Sequence, residues 1–329
     1  MRIAVIGAGG VGGYFGALLA RAAEEARGGA GATSGLEGAR VGFLARGRHL
    51  EMIRQEGLRV ESVHGDFMVR PPASDRGREL AEQLGVEAPA GADLVLVAVK
   101  AYSLPEALAE MEPLVGTATV ILPLMNGIDH LDILRERFGA ERVLGGLCHI
   151  ESAIAAPGRI RQVSQRRDIT FGELDGRETE RVRRIAAAFA AAGIPHRVSD
   201  DILRDMWMKL IFISAMGGMT AAAQRPLGAV LGDPGGREMY ERLVREAIAV
   251  ARAAGVRLPA DAFERVMETS LGMDPGMTSS LQRDLAAGRP VEVDALCGAV
   301  VRHGRRLGVD TPCQQAVATV VRLRAAGRG

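Results

Sequence analysis

Residues 7–13, GAGGVGG, hold five glycines in seven positions and follow directly on IAVI, a run of β-formers. Glycine weakens regular structure because its backbone loses the most freedom on ordering, so a cluster here implies that side chains would be in the way. Residues 3–6 read as a short buried strand, and residues 14–23 as a helix rich in Ala and Leu. Between them Gly7, Ala8, Gly9, Gly10, Val11 and Gly12 match G-x-G-x-x-G in the strand–turn–helix context that gives the pattern meaning. The first glycine permits the tight turn, the second lets a pyrophosphate reach the backbone, and the third lets helix and strand pack closely. The helix N-terminus then offers unpaired N–H groups to the phosphates. A dinucleotide site is expected at these six residues, with a glycine-rich turn that binds nothing as the plainer alternative.

The chain has 329 residues, room for two domains. Lys+Arg 41 against Asp+Glu 40 leaves a net charge of +1, which argues for neither a nucleic-acid partner nor an anionic membrane surface. Cys148, Cys297 and Cys313 form no CxxC pair, and the six histidines show no HxxxH or HExxH spacing, so no metal site is expected. No basic segment followed by an apolar one precedes the first strand, and no apolar stretch reaches the ~20 residues of a membrane span. The expected compartment is a reduced cytoplasm. The sequence fixes no oligomeric state and leaves a homodimer open.

The first half alternates strand and helix patterns. Residues 40–45 (RVGFLA), 94–99 (LVLVAV), 120–124 (VILPL) and 142–145 continue the strand series, and short βα units of this kind predict a parallel sheet with right-handed crossovers. Residues 160–163 and 169–171 read as a later hairpin, 177–192 as an amphipathic helix and 196–198 as a short closing strand. After Asp200 the pattern is helical throughout. Pro290 and Pro312 stand where first-turn prolines belong, and Gly255, Gly288 and Gly308 where helices stop. The expected architecture is an α/β Rossmann-type parallel-sheet domain, residues 1–198, followed by an all-α domain, residues 199–329. One low-complexity stretch, GGAGATSGLEG at residues 28–38, lengthens the loop before the second strand.

That second strand bears on the cofactor. Its end reads Arg46-Gly47-Arg48, with no Asp or Glu. A carboxylate there would bind the ribose of NAD and repel a 2′-phosphate, whereas an arginine offers the phosphate a bidentate partner. The expectation is NADP(H), with two solvated loop arginines as the alternative.

With these pieces placed, the chain resembles the ketopantoate reductase (2-dehydropantoate 2-reductase) family over essentially its whole length. The resemblance rests on an ordered set: residues 7–12, LARGRHLEMIRQEGL (44–58), VKAYSL (99–104), MNGID (125–129), WMKL (207–210) and SSLQRDLAAGRPVEVDALCGAVV (279–301). It implies an active site in a cleft between the two domains and reduction of 2-dehydropantoate to (R)-pantoate with NADPH, on the route to coenzyme A. Carried over, Arg46 would hold the 2′-phosphate, Lys100 would lie beside the cofactor and Asn126 near the nicotinamide and substrate. Lys209 would bind substrate and donate the proton, Ser280 would contact the substrate, and Glu292 would sit in the cleft close to cofactor and lysine.

The residues bear those roles to different degrees. Lys100 ends an apolar strand, where parallel strands meet ligands, though solvated lysines are common there. Asn126-Gly127 follows the next strand and also fits a plain turn. Lys209 lies in MWMKLIFI, where apolar neighbours on both sides suggest a partly buried ammonium suited to acid catalysis; the alternative is a long stem reaching solvent. Glu292 reads as a helix-start residue that would favour the macrodipole, and Ser280 as a residue at a helix N-terminus. One departure stands out. The family typically carries asparagines one and two turns after the lysine, where this chain has Ile213 and Gly217. Two other readings therefore stay open: an oxidoreductase on the same plan acting on a less polar 2-oxo or hydroxy acid, and a non-catalytic NADP(H)-binding sensor.

Overall fold

The computed structural model describes residues 1–27 and 35–327; residues 28–34 of the low-complexity stretch, and its expected role as a loop extension, lie outside them. The chain forms two compact units, one of residues 1–125 and 130–202, the other of residues 126–129 and 203–329.

The first unit begins with β1 (Arg2–Ile6), α1 (Gly10–Arg27), β2 (Arg40–Leu44), α2 (Gly47–Glu56), β3 (Leu58–Ser62), β4 (Phe67–Val69) and β5 (Ala73–Ser74). It continues through α3 (Gly77–Leu84), β6 (Leu94–Val97), α4 (Leu104–Met111), β7 (Val120–Pro123) and α5 (His130–Phe138). It ends with β8 (Gly145–Ala156), β9 (Arg159–Gly172), α6 (Glu180–Ala191) and β10 (His196–Val198). Five strands make a parallel sheet in the order β5-β2-β1-β6-β7, with Val5 opposite Phe43 on one side and Leu96 on the other. The expected Rossmann-type sheet is present, and its middle strand is buried on both faces, as its unbroken apolar run requires.

A second sheet runs β10-β9-β3-β4, with β8 antiparallel to β9. Helix α1 packs against both sheets. Small residues let it do so: a Cβ on Gly16 would lie 2.6 Å from the Phe43 ring, and one on Gly13 would lie 2.8 Å from Ile160. Tyr14 and Phe15, edge to face at 5.5 Å, fill the space between.

The structure corrects the reading of residues 160–163 and 169–171. They are not a hairpin but two parts of the single strand β9, whose hairpin partner is β8, with the turn at Gly158, φ +73°. The polar run between them resembles a turn, yet Ser164 accepts from the Glu151 backbone N–H and the Gln162 amide and donates to the Arg166 carbonyl, so the strand continues.

The second unit is helical: α7 (Ile202–Ala223), α8 (Leu227–Gly232), α9 (Pro234–Ala253), α10 (Ala262–Leu271), α11 (Ser280–Ala286), α12 (Cys297–Leu307) and α13 (Pro312–Ala326). By length and composition alone α7 could cross a membrane, but 56% of its most apolar window is buried inside the structure, as in a core helix. Within the unit its small residues are used for packing. A Cβ on Gly218 would lie 2.8 Å from both Cys297 and Val317, and Ser214 is fully buried beside Gln314. The expected helix from Pro290 instead begins at Cys297. Residues 290–296 form no helix, and their turns bury the adjacent Glu292 and Val293 together.

Candidate active site

The glycine loop follows β1. Gly7 has φ +95° and donates its N–H to the Leu44 carbonyl at 3.0 Å, locking the loop to the end of β2. A Cβ on Gly12 would lie 2.0 Å from the Gly7 carbonyl oxygen, and one on Gly10 would lie 2.3 Å from that of Ser152. Gly9 differs: a Cβ there would meet nothing within 4 Å. Its glycine answers no need of the protein's own packing. The space before it suits a pyrophosphate, at the N-terminus of an 18-residue helix whose first turn holds no acidic residue.

One loop contact is not legible in the sequence. His49 of α2 accepts the Gly158 N–H at Nδ1, 2.9 Å, so its proton sits on Nε2 and is donated to the Ala8 carbonyl at 2.8 Å. Burial pushes the imidazole below its ordinary pKa, and the bond to Ala8 only partly opposes this. A neutral His49 thus pins the second residue of the glycine motif. Only the motif's spacing was available to the sequence reading, which passes over a histidine 41 positions away.

Arg46 stands just before α2, with its side chain 63% exposed, and ion-pairs with Glu106 of α4, itself 70% exposed. A carboxylate therefore does reach the end of the second strand, from 60 positions downstream. Lys100 follows β6, half-buried, at the start of a turn that its carbonyl closes by accepting from Ser103 N–H at 2.8 Å.

Asn126, Lys209, Ser280 and Glu292 all fall in the helical unit. The Asn126 turn is fixed there twice. Gly127 has φ +88°, and a Cβ on it would lie 2.5 Å from the Ala295 carbonyl oxygen. Asp129 pairs with Arg302 and, at 2.7 Å, with Nε2 of His303 on α12. Burial alone would push the Asp129 carboxyl up, but the hydrogen bonds from His303 and Arg302 and their charges outweigh it and hold it at about 2. Trp207, two residues before Lys209, meets the His303 ring edge-on at 5.5 Å.

Lys209 is half-buried on α7 beside the buried Met206, Leu210 and Ile211. Glu292 is 6% exposed, so its place in a turn ahead of α12, rather than at a helix start, makes it a buried carboxylate and removes the macrodipole explanation. The end of its segment also lines α7, since Leu296 lies 3.4 Å from where a Gly217 Cβ would be, with Leu281 of α11 at 3.7 Å. Ser280 is exposed; the buried serine is Ser279, which caps α11 by accepting from Gln282 N–H and meets the Thr220 hydroxyl at 2.7 Å. The position of the second missing asparagine is thus bordered by two leucines. The nearby Ser214 and Thr220 hydroxyls are buried and bonded to the Ile211 and Met216 carbonyls. Among the described residues no group of three His, Cys, Asp or Glu is placed to hold a metal.

Residues 3–176 match the family described as Ketopantoate reductase PanE/ApbA, and residues 201–325 match its C-terminal counterpart. The chain belongs to the ketopantoate reductase family. This is a family of oxidoreductases, and it unites the sheet unit and the helical unit in one enzyme plan. The chain is 33% identical to a 2-dehydropantoate 2-reductase of Mesorhizobium japonicum over 349 aligned positions, covering 100% of this chain and 99% of that one. It is also 33% identical to an uncharacterized oxidoreductase, YkpB, of Bacillus subtilis, covering 96% of each. A PanE/ApbA family ketopantoate reductase from Ralstonia eutropha JMP134 superposes with a TM-score of 0.84 at 32% identity, covering 100% and 99%.

Proposed function

We propose that the chain reduces a 2-oxo acid with NADPH, 2-dehydropantoate first among them, to give (R)-pantoate. One observation supports this reading beyond family membership. Of the 41 Lys and Arg residues, 39 are arginine and two are lysine, at positions 100 and 209. At solvated surfaces the two residue types exchange freely, and this chain uses arginine almost throughout. A lysine at each of these two positions stands out, and at 209 it supplies what a guanidinium cannot, an ammonium able to give up a proton. Both lie in the motifs that carry the family resemblance.

The glycine loop fits a dinucleotide, because Gly9 leaves room for phosphates and α1 offers its N–H groups. When bound, NADPH supplies the hydride. The chain's own residues do the rest. Gly7, Ala8, Gly9, Gly10, Val11 and Gly12 hold the pyrophosphate, Arg46 the 2′-phosphate, and Lys100 and Asn126 the nicotinamide end. Lys209 attracts the substrate carboxylate and donates a proton to the carbonyl oxygen as it becomes an alkoxide. Glu292, nearly excluded from water, orients the lysine. Ser280 contacts the substrate.

A second reading is favoured by Ile213 and by the leucines around Gly217. Without amides there, a site gains little from the substrate's hydroxyl, and a less polar 2-oxo acid is preferred. The test is kcat/KM for NADPH oxidation with 2-dehydropantoate beside a panel of branched and aromatic 2-oxo acids. A value of ~10⁴ M⁻¹s⁻¹ or more for 2-dehydropantoate, well above all others, supports the first reading. A better branched or aromatic substrate supports the second, and no oxidation with any acid refutes both.

A further inference from the structure

We propose that Glu106 is a cofactor-specificity residue: it competes with the 2′-phosphate of NADPH for Arg46 and accepts the ribose 2′-hydroxyl of NADH, so that the site takes both cofactors. The proposal rests on the reading that Arg46 receives the 2′-phosphate.

Three observations carry it. Glu106 lies in the first turn of α4, which follows β6, and Arg46 follows β2; both therefore stand past the carboxyl ends of parallel strands, where such sheets bind ligands. The two side chains pair across 60 residues of sequence, yet they are 63% and 70% exposed. An ion pair so open to water adds little to folding, and both partners remain accessible to a ligand. Finally, the acid that binds the ribose in NAD sites is absent from the end of β2, where the sequence reads Arg46-Gly47-Arg48.

The chemistry then separates the two cofactors. A phosphate brought to Arg46 meets the Glu106 carboxylate already on the guanidinium, and two anions repel. A neutral hydroxyl brought to the same place finds an acceptor in Glu106. Arg48, also exposed, adds positive charge nearby and softens the repulsion without removing the competitor.

The experiment titrates the purified full-length chain with NADPH and NADH, comparing wild type, Glu106→Gln and Arg46→Ala at low and high salt. Glutamine keeps the size of Glu106, and the side chain is exposed, so the fold is retained. Glu106→Gln should tighten NADPH about threefold to tenfold and weaken NADH by about threefold, with the NADPH gain shrinking at high salt. Arg46→Ala should weaken NADPH about tenfold or more and leave NADH nearly unchanged. If Arg46→Ala weakens NADPH while Glu106→Gln leaves both affinities within twofold, the role of Glu106 is overturned and that of Arg46 stands. If Arg46→Ala leaves NADPH binding intact, the reading of Arg46 fails and the proposal fails with it.

Discussion

Glu292 and His49 show how far single residues could be read. The sequence places Glu292 at a helix start, where a carboxylate needs no partner to explain it; the structure places it in a turn at 6% exposure, where it does. On the proposal that Glu292 orients the Lys209 ammonium, it should be intolerant of neutralisation. Glu292→Gln is expected to lower kcat by ~10²-fold or more, and the Lys209→Ala/Glu292→Gln double variant to be less than additive, as measured by a kinetic mutant cycle. His49 was missed because its bonds reach the Ala8 carbonyl and the Gly158 N–H, partners that no spacing rule links. Its pKa is lowered on folding, so the unfolded chain binds the proton more readily. The stability it gives is complete above the unfolded value near 6.5 and is lost as pH falls through the lower folded value. Denaturant midpoints should therefore drop below pH ~6.5 in wild type, and drop less in His49→Gln.

Elements were legible where their period was unbroken. The βαβ series and its parallel sheet follow from apolar runs such as LVLV, and Gly255, Gly288 and Gly308 take positive φ at helix ends as their positions suggest. The strand β9 was not legible as one piece, because its polar middle satisfies itself with side-chain bonds that a sequence does not display. The paired glycines of α7 were legible as a cost but not as two different sites. A Gly217 Cβ meets Leu296 at an ordinary 3.4 Å, whereas a Gly218 Cβ would press on Cys297 and Val317 at 2.8 Å. Gly217→Ala should therefore be neutral or stabilising by up to about 1 kcal/mol through helix propensity. Gly218→Ala should destabilise by about 1–3 kcal/mol through overpacking. Thermal unfolding of the two variants decides this, and equal shifts would contradict it.

At the scale of the whole molecule, sequence order hides which unit a residue serves. Residues 126–129 follow a strand of the sheet unit but belong to the helical one, held by Gly127 against Ala295 and by Asp129 between Arg302 and His303. The Asp129 carboxyl is held at about 2, below its ordinary 3.8, so the unfolded chain binds its proton first. The pair's stabilisation is complete above pH ~4 and disappears as pH falls toward 2. Asp129→Asn should cost roughly 2 kcal/mol near neutral pH and remove that part of the acid transition in a urea titration. Family membership spans nearly the whole chain, and within it the account gives the chemistry to one of only two lysines. The most direct test is kcat for NADPH-dependent reduction of 2-dehydropantoate, or of the best acid in the panel, by Lys209→Arg. This variant keeps the positive charge but replaces the proton donor with a guanidinium. A fall of ~10²–10⁴-fold with unchanged NADPH affinity is predicted, and turnover near that of wild type would contradict the account.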